Sequence, residues 1–364
     1  MNFVIIALPA ILVCIAMKFM FNRDITPKEF FIHLGGVAAA IALMMGITYA
    51  SMYANMYDTE ILNGKVLSKS REVETCTQSS SCKHYRTIEK CRSYTDSHGK
   101  RQKSCTTKKK FDYPYEVDWT VKTSVDSHTI ERVNRQGTEM PPRWASIQIG
   151  DPASTEHGYI NYLLGNKDSL FYQESYEKDF TEEYKKTVPD YPEVYDYYRV
   201  NHVLNLTKVS SAGYNEYISD ALRDMGAAKQ VNIIMIMYPF ADKEFEKATL
   251  SKWRGGKKND VLMFYGLDDD GTVRYFSSTS FAKGMNNEFL HSTLRMDAMT
   301  EKMSLDLVKK TVYDVQQNFN RLPNKEFEYL KYKLEPSIWV VLICSILTAF
   351  ISIGIGIYMR KVDL

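Results

Sequence analysis

Two uninterrupted apolar runs, VNIIMIMY at 231–238 and VLMFYGL at 261–267, are the strongest elements that the hydrophobic pattern predicts. Neither alternates with polar residues, so each reads as a strand covered on both faces. Between them, residues 242–253 place Phe245, Leu250 and Trp253 at roughly helical spacing, and a loop with two glycines follows at 254–259. This is a β-α-β unit with an expected right-handed connection. The second run ends at Asp268-Asp269-Asp270-Gly271 and restarts as TVRYF, where Asp-Gly supplies the positive φ of a tight hairpin. Residues 299–319 repeat apolar positions at Met303, Leu307, Val312 and Val315, which predicts a helix over one sheet face. Upstream, 61–74 and 115–126 alternate apolar and polar residues as half-buried antiparallel strands do.

Trp253, Gly256, Lys257, Asn259, Val261, Leu262 and Asp269 stand in an order that resembles the TPM domain, over about 212–319. Families with that domain include a thylakoid-lumen protein of photosystem repair, an accessory subunit of nematode acetylcholine receptors and many bacterial membrane proteins. The resemblance implies an α/β fold, and some of these proteins are described as phosphatases or metal binders. This chain carries Asp260 where the family usually has a glycine, and Ser277 to Ser280 where a glycine-bearing segment is usual. The whole chain also resembles membrane proteins of large tailed bacteriophages, through its cysteine hairpin and the segments PPRWASIQIG and YPEVYDYYRV.

Mean hydropathy over the chain is −0.32, which describes a soluble protein, but local windows overturn that. Residues 1–17, 30–57 and 337–359 lack Asp, Glu, Lys and Arg, and each is long enough to cross a hydrocarbon core of about 30 Å. The expected order is a transmembrane helix at 1–21, a cytoplasmic loop at 22–30, a second span at 31–53, a third at 337–359 and a tail at 360–364. The first stretch lacks a basic leader and a small-x-small cleavage site, which favours an anchor over a signal peptide. Lys18, Arg23 and Lys28 in the first loop and Arg360 and Lys361 in the tail place both on the cytoplasmic side. The N-terminus and residues 58–335 then lie outside, which for a bacterial inner membrane means the periplasm. Small residues recur at Gly35, Ala39, Ala42 and Gly46, and at Ser345, Ala349, Ser352 and Gly356, which predicts that the second and third spans pack together. His33 reads as a wetted interface residue.

Lys and Arg number 46 against 44 acids, so charge matters here only locally. Lys83, Arg86, Lys90, Arg92, Lys100, Arg101, Lys103, Lys108, Lys109 and Lys110 face two acids, Glu89 and Asp96, for a local net of 10 − 2 = +8. Lipid phosphates or anionic envelope glycans suit this patch. Nucleic acid does not, because aromatic residues are sparse and the compartment is wrong. Cys76, Cys82, Cys91 and Cys105 lie inside the same segment with 5, 8 and 13 residues between them. The competing readings are two disulfides, in three possible connectivities, and a zinc site. The absence of paired C-x2-C knuckles favours disulfides. His84 and His98 read as surface residues.

The expected fold class is an α+β membrane protein: three transmembrane helices and a large ectodomain. The ectodomain comprises a disulfide-stapled β module at 58–145, a Tyr-rich acidic connecting region at 146–211 and the α/β TPM-like domain at 212–320. Residues 168–196 hold nine acids with Tyr172, Tyr176, Tyr184, Tyr191 and Tyr195, and helical stretches are expected near 169–186. Packing of these rings on the neighbouring sheet is favoured over a recognition surface. Asn205-Leu206-Thr207 is a glycosylation sequon.

No HExxH, GxSxG or P-loop is present, which turns the reading away from the common hydrolases and NTPases. The one arguable chemical site pairs an anion-binding loop, Arg254, Lys257 and Lys258, with Asp268, Asp269 and Asp270 as ligands for Ca or Mg. Those two groups sit at opposite ends of one strand, about 20 Å apart. The function expected is therefore a non-catalytic binding or organising module of the envelope, with membrane lipids and an envelope protein or a second copy as partners. A metal-dependent phosphatase of the TPM type is the alternative.

Overall fold

The structure is a computed structural model that describes residues 2–95, 97, 99–130, 138–166, 184–281 and 286–361. In chain order it forms α1 (Asn2–Met20), α2 (Pro27–Asn55), β1 (Tyr57–Thr75), β2 (Tyr85–Thr95), β3 (Arg101–Phe111), β4 (Tyr115–Thr123) and β5 (Ser127–Thr129). Next come α3 (Pro142–Ser146), β6 (Pro152–Ile160), α4 (Tyr162–Gly165), α5 (Tyr184–Thr187), β7 (Val203–Asn205), α6 (Tyr214–Lys229), β8 (Asn232–Pro239), α7 (Phe245–Lys252) and β9 (Asp260–Leu267). The chain closes with β10 (Val273–Ser280), α8 (Glu288–Ala298), α9 (Leu305–Asn318), a 3-10 stretch (Asn324–Lys333) and α10 (Ile338–Lys361). The whole is a mixed α/β protein in two compact units, Met1–Thr59 with Gly158–Lys178 and Pro323–Leu364, and Glu60–His157 with Asp179–Leu322.

The first unit contains α1, α2 and α10, which among the described residues are the helices long and apolar enough to cross a membrane. Thr26 starts α2 with a capping box: its hydroxyl accepts from Glu29 N–H while the Glu29 carboxylate accepts from Thr26 N–H. In α1, Pro9 has no N–H, so it removes the intrahelical partner of the Ile5 carbonyl. Ser345 of α10 supplies a substitute, its hydroxyl donating to that oxygen at 2.7 Å. Thr348 and Ser352 donate likewise to the carbonyls of Ile6 and Ala10, whose intrahelical donors are not removed by proline. Ser345, Ser352 and Gly356 thus face inward as expected, yet much of what they meet is α1.

The matching expectation for α2 is corrected. Gly35, Ala39, Ala42 and Gly46 lie uncovered by protein, and His33, Val37, Ala40, Ile41, Met44 and Thr48 form the inward face. On that face the His33 Nε2 reaches the Ser352 carbonyl at 2.9 Å, and the larger apolar side chains Val37, Ile41 and Met44 gain more from burial than the small residues would. His33 is therefore a buried bundle residue and not a wetted one. At one end of the bundle Arg360 pairs with Asp24 at 3.2 Å and lies over the Phe21 ring, which joins the basic tail to the basic first loop.

The second unit holds two four-stranded sheets and a separate ribbon. In the first sheet, ordered β5-β4-β1-β6, β1 and β4 pair antiparallel as their alternation predicts, over a core of Val66, Val121, Ile130, Ile147 and Ala153. In the second, ordered β10-β9-β8-β7, β7, β8 and β9 are parallel and β10 is antiparallel. Ile233, Met235 and Met237 of β8 pack beneath α6, α8 and α9, while Ile234, Ile236 and Tyr238 pack beneath α7. Burial on both faces is why these runs show no alternation.

The single helix expected over 299–319 begins at Leu305, with the Ser304 hydroxyl accepting from Leu307 N–H. Residues 300–303 instead bond to Gly271 and Val273, extending the sheet edge. Of the helix expected near 169–186, all but α5 lies outside the described residues, as do Tyr172 and Tyr176. Tyr184 and Tyr191 pack against the α7 face of the sheet, which is the expected packing role.

Candidate functional site

The basic segment forms a two-stranded antiparallel ribbon, β2 against β3, paired from Tyr85↔Phe111 to Thr95↔Arg101. At ~3.4 Å per residue it extends about 34 Å, and its side chains alternate between two faces. One face carries Arg86, Ile88, Lys90, Arg92 and Tyr94 opposite Lys110, Lys108, Thr106, Ser104 and Gln102. That gives five cations, Arg86, Lys90, Arg92, Lys108 and Lys110, and no carboxylate. Among the described residues none of the five has an ion-pair partner. Arg86 and Lys110 are directly opposite, an arrangement that destabilises a ribbon by roughly 0.2–1 kcal/mol.

The other face holds the ribbon together. Cys91 and Cys105 are paired in register and joined as a disulfide, and Lys109 lies over the Tyr85 ring while donating to the Ser80 carbonyl. An uncovered two-stranded ribbon is marginal in water, so this cross-link matters more than it would inside a sheet.

Cys76 and Cys82 form the second disulfide at the base of the ribbon. His84, expected at the surface, is instead 2 % exposed. Its ring sits edge-on to Phe111 and Tyr113, with Nε2 3.2 Å from the Cys76 sulfur. Glu116 is fixed beside it by the Lys83 N–H, which donates to Oε2 at 2.8 Å. The ligand atoms of Cys76, Cys82, His84 and Glu116 all lie within 4.8 Å of one another. His98 lies outside the described residues.

The loop after α7 takes positive φ at three successive residues, Arg254, Gly255 and Gly256, and a Cβ at Gly256 would meet Leu262 at 2.9 Å. That tight path delivers the Lys257 N–H to Asp260 Oδ2 at 2.7 Å. Asp260 also accepts from Tyr191 OH at 2.9 Å and Asn232 Nδ2 at 2.9 Å. Burial pushes its carboxyl up to about 6, against the opposing pull of these hydrogen bonds. Asn232 continues the network to Asn63, which accepts from the Ser154 hydroxyl. Lys258 is buried, and burial followed by the charge of Arg321 lowers its pKa while Glu60 raises it. Glu60 itself holds Arg321 and His157. Lys257 and Lys258 thus serve internal structure, and Lys257 lies 5.5 Å over the Tyr191 ring.

At the far end of β9 the acidic turn is engaged as well. Asp268 pairs with Arg274, and Asp270 is drawn down to about 2, first by Lys302 and then by Thr272. Asp269 is exposed at the tip. The structure does not bring these carboxylates to the Arg254, Lys257 and Lys258 loop. Nor do they converge among themselves: among the described residues the convergent ligand groups are the Cys76 cluster and Glu89 with Cys91 and Cys105. Asn205 of the sequon uses its amide on Val209 and Ser211 and its oxygen on Thr207.

Sequence reasoning missed a cleft of about 400 Å³ lined by Asn63, Ser154, Tyr198, His202, Asn215 and Arg223 among others. His202 is fully buried and its pKa falls to about 4, so it is neutral near pH 7; Nδ1 donates to the Ile233 carbonyl. Residues from three distant parts of the chain build this cleft, and no spacing announces it. No protein-family model matches the chain, and no curated protein or solved structure matches it.

Proposed function

We propose that this is an integral membrane protein whose ectodomain is a non-catalytic binding module, with the β2–β3 ribbon as an arm that docks on an anionic lipid surface. The observation that carries this reading is the ribbon face with five cations, no carboxylate and, among the described residues, no compensating ion pair. Ile88 and Tyr94 lie exposed among those cations, and an apolar and an amphipathic side chain suit the headgroup boundary better than a sugar polymer. At about 1 kcal/mol per cation, five give ~5 kcal/mol, enough for docking once a membrane anchor supplies high local concentration.

Three apolar helices support the anchor. The basic loop and tail at one end of the bundle support a cytoplasmic placement for both, and the two disulfides support an oxidising compartment such as the periplasm for the ectodomain. The TPM resemblance fits an α/β domain that organises an envelope partner or a second copy.

The test uses the full chain in neutral nanodiscs mixed with vesicles of phosphatidylglycerol, of phosphatidylcholine, or of phosphatidylcholine coated with an anionic polysaccharide. Co-flotation with phosphatidylglycerol alone, lost in R86E/K90E/R92E, is the expected result. Equal flotation with phosphatidylcholine, or flotation only with the coated vesicles, overturns the lipid reading.

A further inference from the structure

We propose that Cys76, Cys82, His84 and Glu116 form a redox-gated site for one zinc-class divalent cation, closed as the disulfide and open as the dithiol. The donor set is two sulfurs, an imidazole and a carboxylate, which is the chemistry of a borderline-soft tetrahedral ion. With zinc about 2.0–2.3 Å from each donor, the edges of such a tetrahedron are ~3.3–3.8 Å, and these four groups already lie within 4.8 Å of one another. Two of the donors, Cys82 and His84, are buried, and the His84 Nε2 faces the Cys76 sulfur. Lys83 N–H holds the Glu116 carboxylate in place, an outer contact of the kind that orients metal ligands.

The second disulfide has no such surroundings. Among the described residues, Cys91 and Cys105 have only the exposed Glu89 within ligand distance and no imidazole. The two cross-links therefore differ in kind: one is a lock within the ribbon, the other a gate at its base.

Opening requires a dithiol reductant. Its thiolate attacks one sulfur of the Cys76–Cys82 bond to give a mixed disulfide, and its second thiol resolves it. Two electrons and two protons pass to the cysteines while the reductant becomes a cyclic disulfide. The displaced cysteine sulfur leaves as a thiolate and takes its proton from the reductant's second thiol or from water. On binding, the cation takes the place of both thiol protons, so the two cysteines release two protons.

The experiment reduces the full chain in detergent with a phosphine and titrates it with Co²⁺. One equivalent should produce thiolate-to-cobalt charge-transfer and tetrahedral d–d bands, bleached by one equivalent of Zn²⁺ and absent from the oxidised protein. Loss of an outer-shell partner already costs about 10–100-fold in metal affinity, so His84→Ala and Glu116→Gln should cost at least as much, while C91S/C105S should keep the bands. A second readout needs no variant: Zn²⁺ should protect Cys76 and Cys82 of the reduced protein from alkylation and leave Cys91 and Cys105 reactive. Absence of the bands, bands undiminished in His84→Ala, or equal protection of all four thiols would each overturn the site.

Discussion

The β10-β9-β8-β7 sheet and the β2–β3 ribbon are both made of extended backbone, yet they are stabilised in opposite ways. Residues 232–238 of β8 and 260–267 of β9 are buried throughout, with apolar layers above and below. The ribbon exposes nearly every side chain, places like charges opposite one another and relies on a covalent bond. The contrast teaches where this protein tolerates change: the sheet resists substitution but needs no special chemistry, whereas the ribbon gives up stability to keep a cationic surface.

The largest expected break in that contrast is Phe264→Ala. Its ring is fully buried, so thermal denaturation of the full chain in detergent should show a loss of about 3–5 kcal/mol. Ile88→Ala on the ribbon should stay within ~0.5 kcal/mol in the same measurement. If the two losses are similar, the ribbon is covered by something the sheet comparison ignores.

Next is Asp260→Asn. The folded protein holds the Asp260 proton more tightly than the unfolded chain does, because its pKa rises from 3.8 to about 6. Its contribution is therefore most favourable below pH 3.8, declines as pH rises toward about 6 and stays level above that. A shift of about two units amounts to ~3 kcal/mol at most. Relative to wild type, Asp260→Asn should gain stability across that window, measured as the difference between melts at several pH values. A pH-independent difference would count against the buried carboxyl.

C91S/C105S should follow, removing about 2–3 kcal/mol from the ribbon alone. Limited proteolysis should cut between Tyr85 and Phe111 while the global melt stays in place; a shifted global melt would show that the ribbon and the sheets unfold together. The smallest effect belongs to Arg86→Glu, which replaces repulsion with attraction across from Lys110 and should steady the ribbon by ~0.5 kcal/mol while weakening vesicle binding. Stability and binding should therefore move in opposite directions in this variant.

Much of the sheet was legible in the chain because its signals are local. VNIIMIMY and VLMFYGL mark β8 and β9, and Asp270-Gly271 marks the turn, with Gly271 at φ 82°. The short β7 carries no pattern over three residues, and the break before Leu305 exists only because residues 300–303 find partners around Gly271 and Val273. The face of α2 was misread because small residues describe which approaches are sterically open, whereas the larger Val37, Ile41 and Met44 gain more from burial. In the site, alternation announced the strands around the cysteines, but a search for C-x2-C passed over His84 and Glu116. Those two residues reach the sulfurs only through the fold. The Asp260 network and the His202 cleft are likewise assembled from residues far apart in sequence.

The bond from Ser345 to the Ile5 carbonyl has a consequence for synthesis. Proline at position 9 leaves that oxygen bare from the moment the first helix leaves the ribosome, and its donor is encoded some 340 residues later. In a hydrocarbon setting the nascent chain thus carries a polar defect until α10 arrives. A chain cut short anywhere ahead of Ser345 would leave that oxygen without its hydroxyl donor.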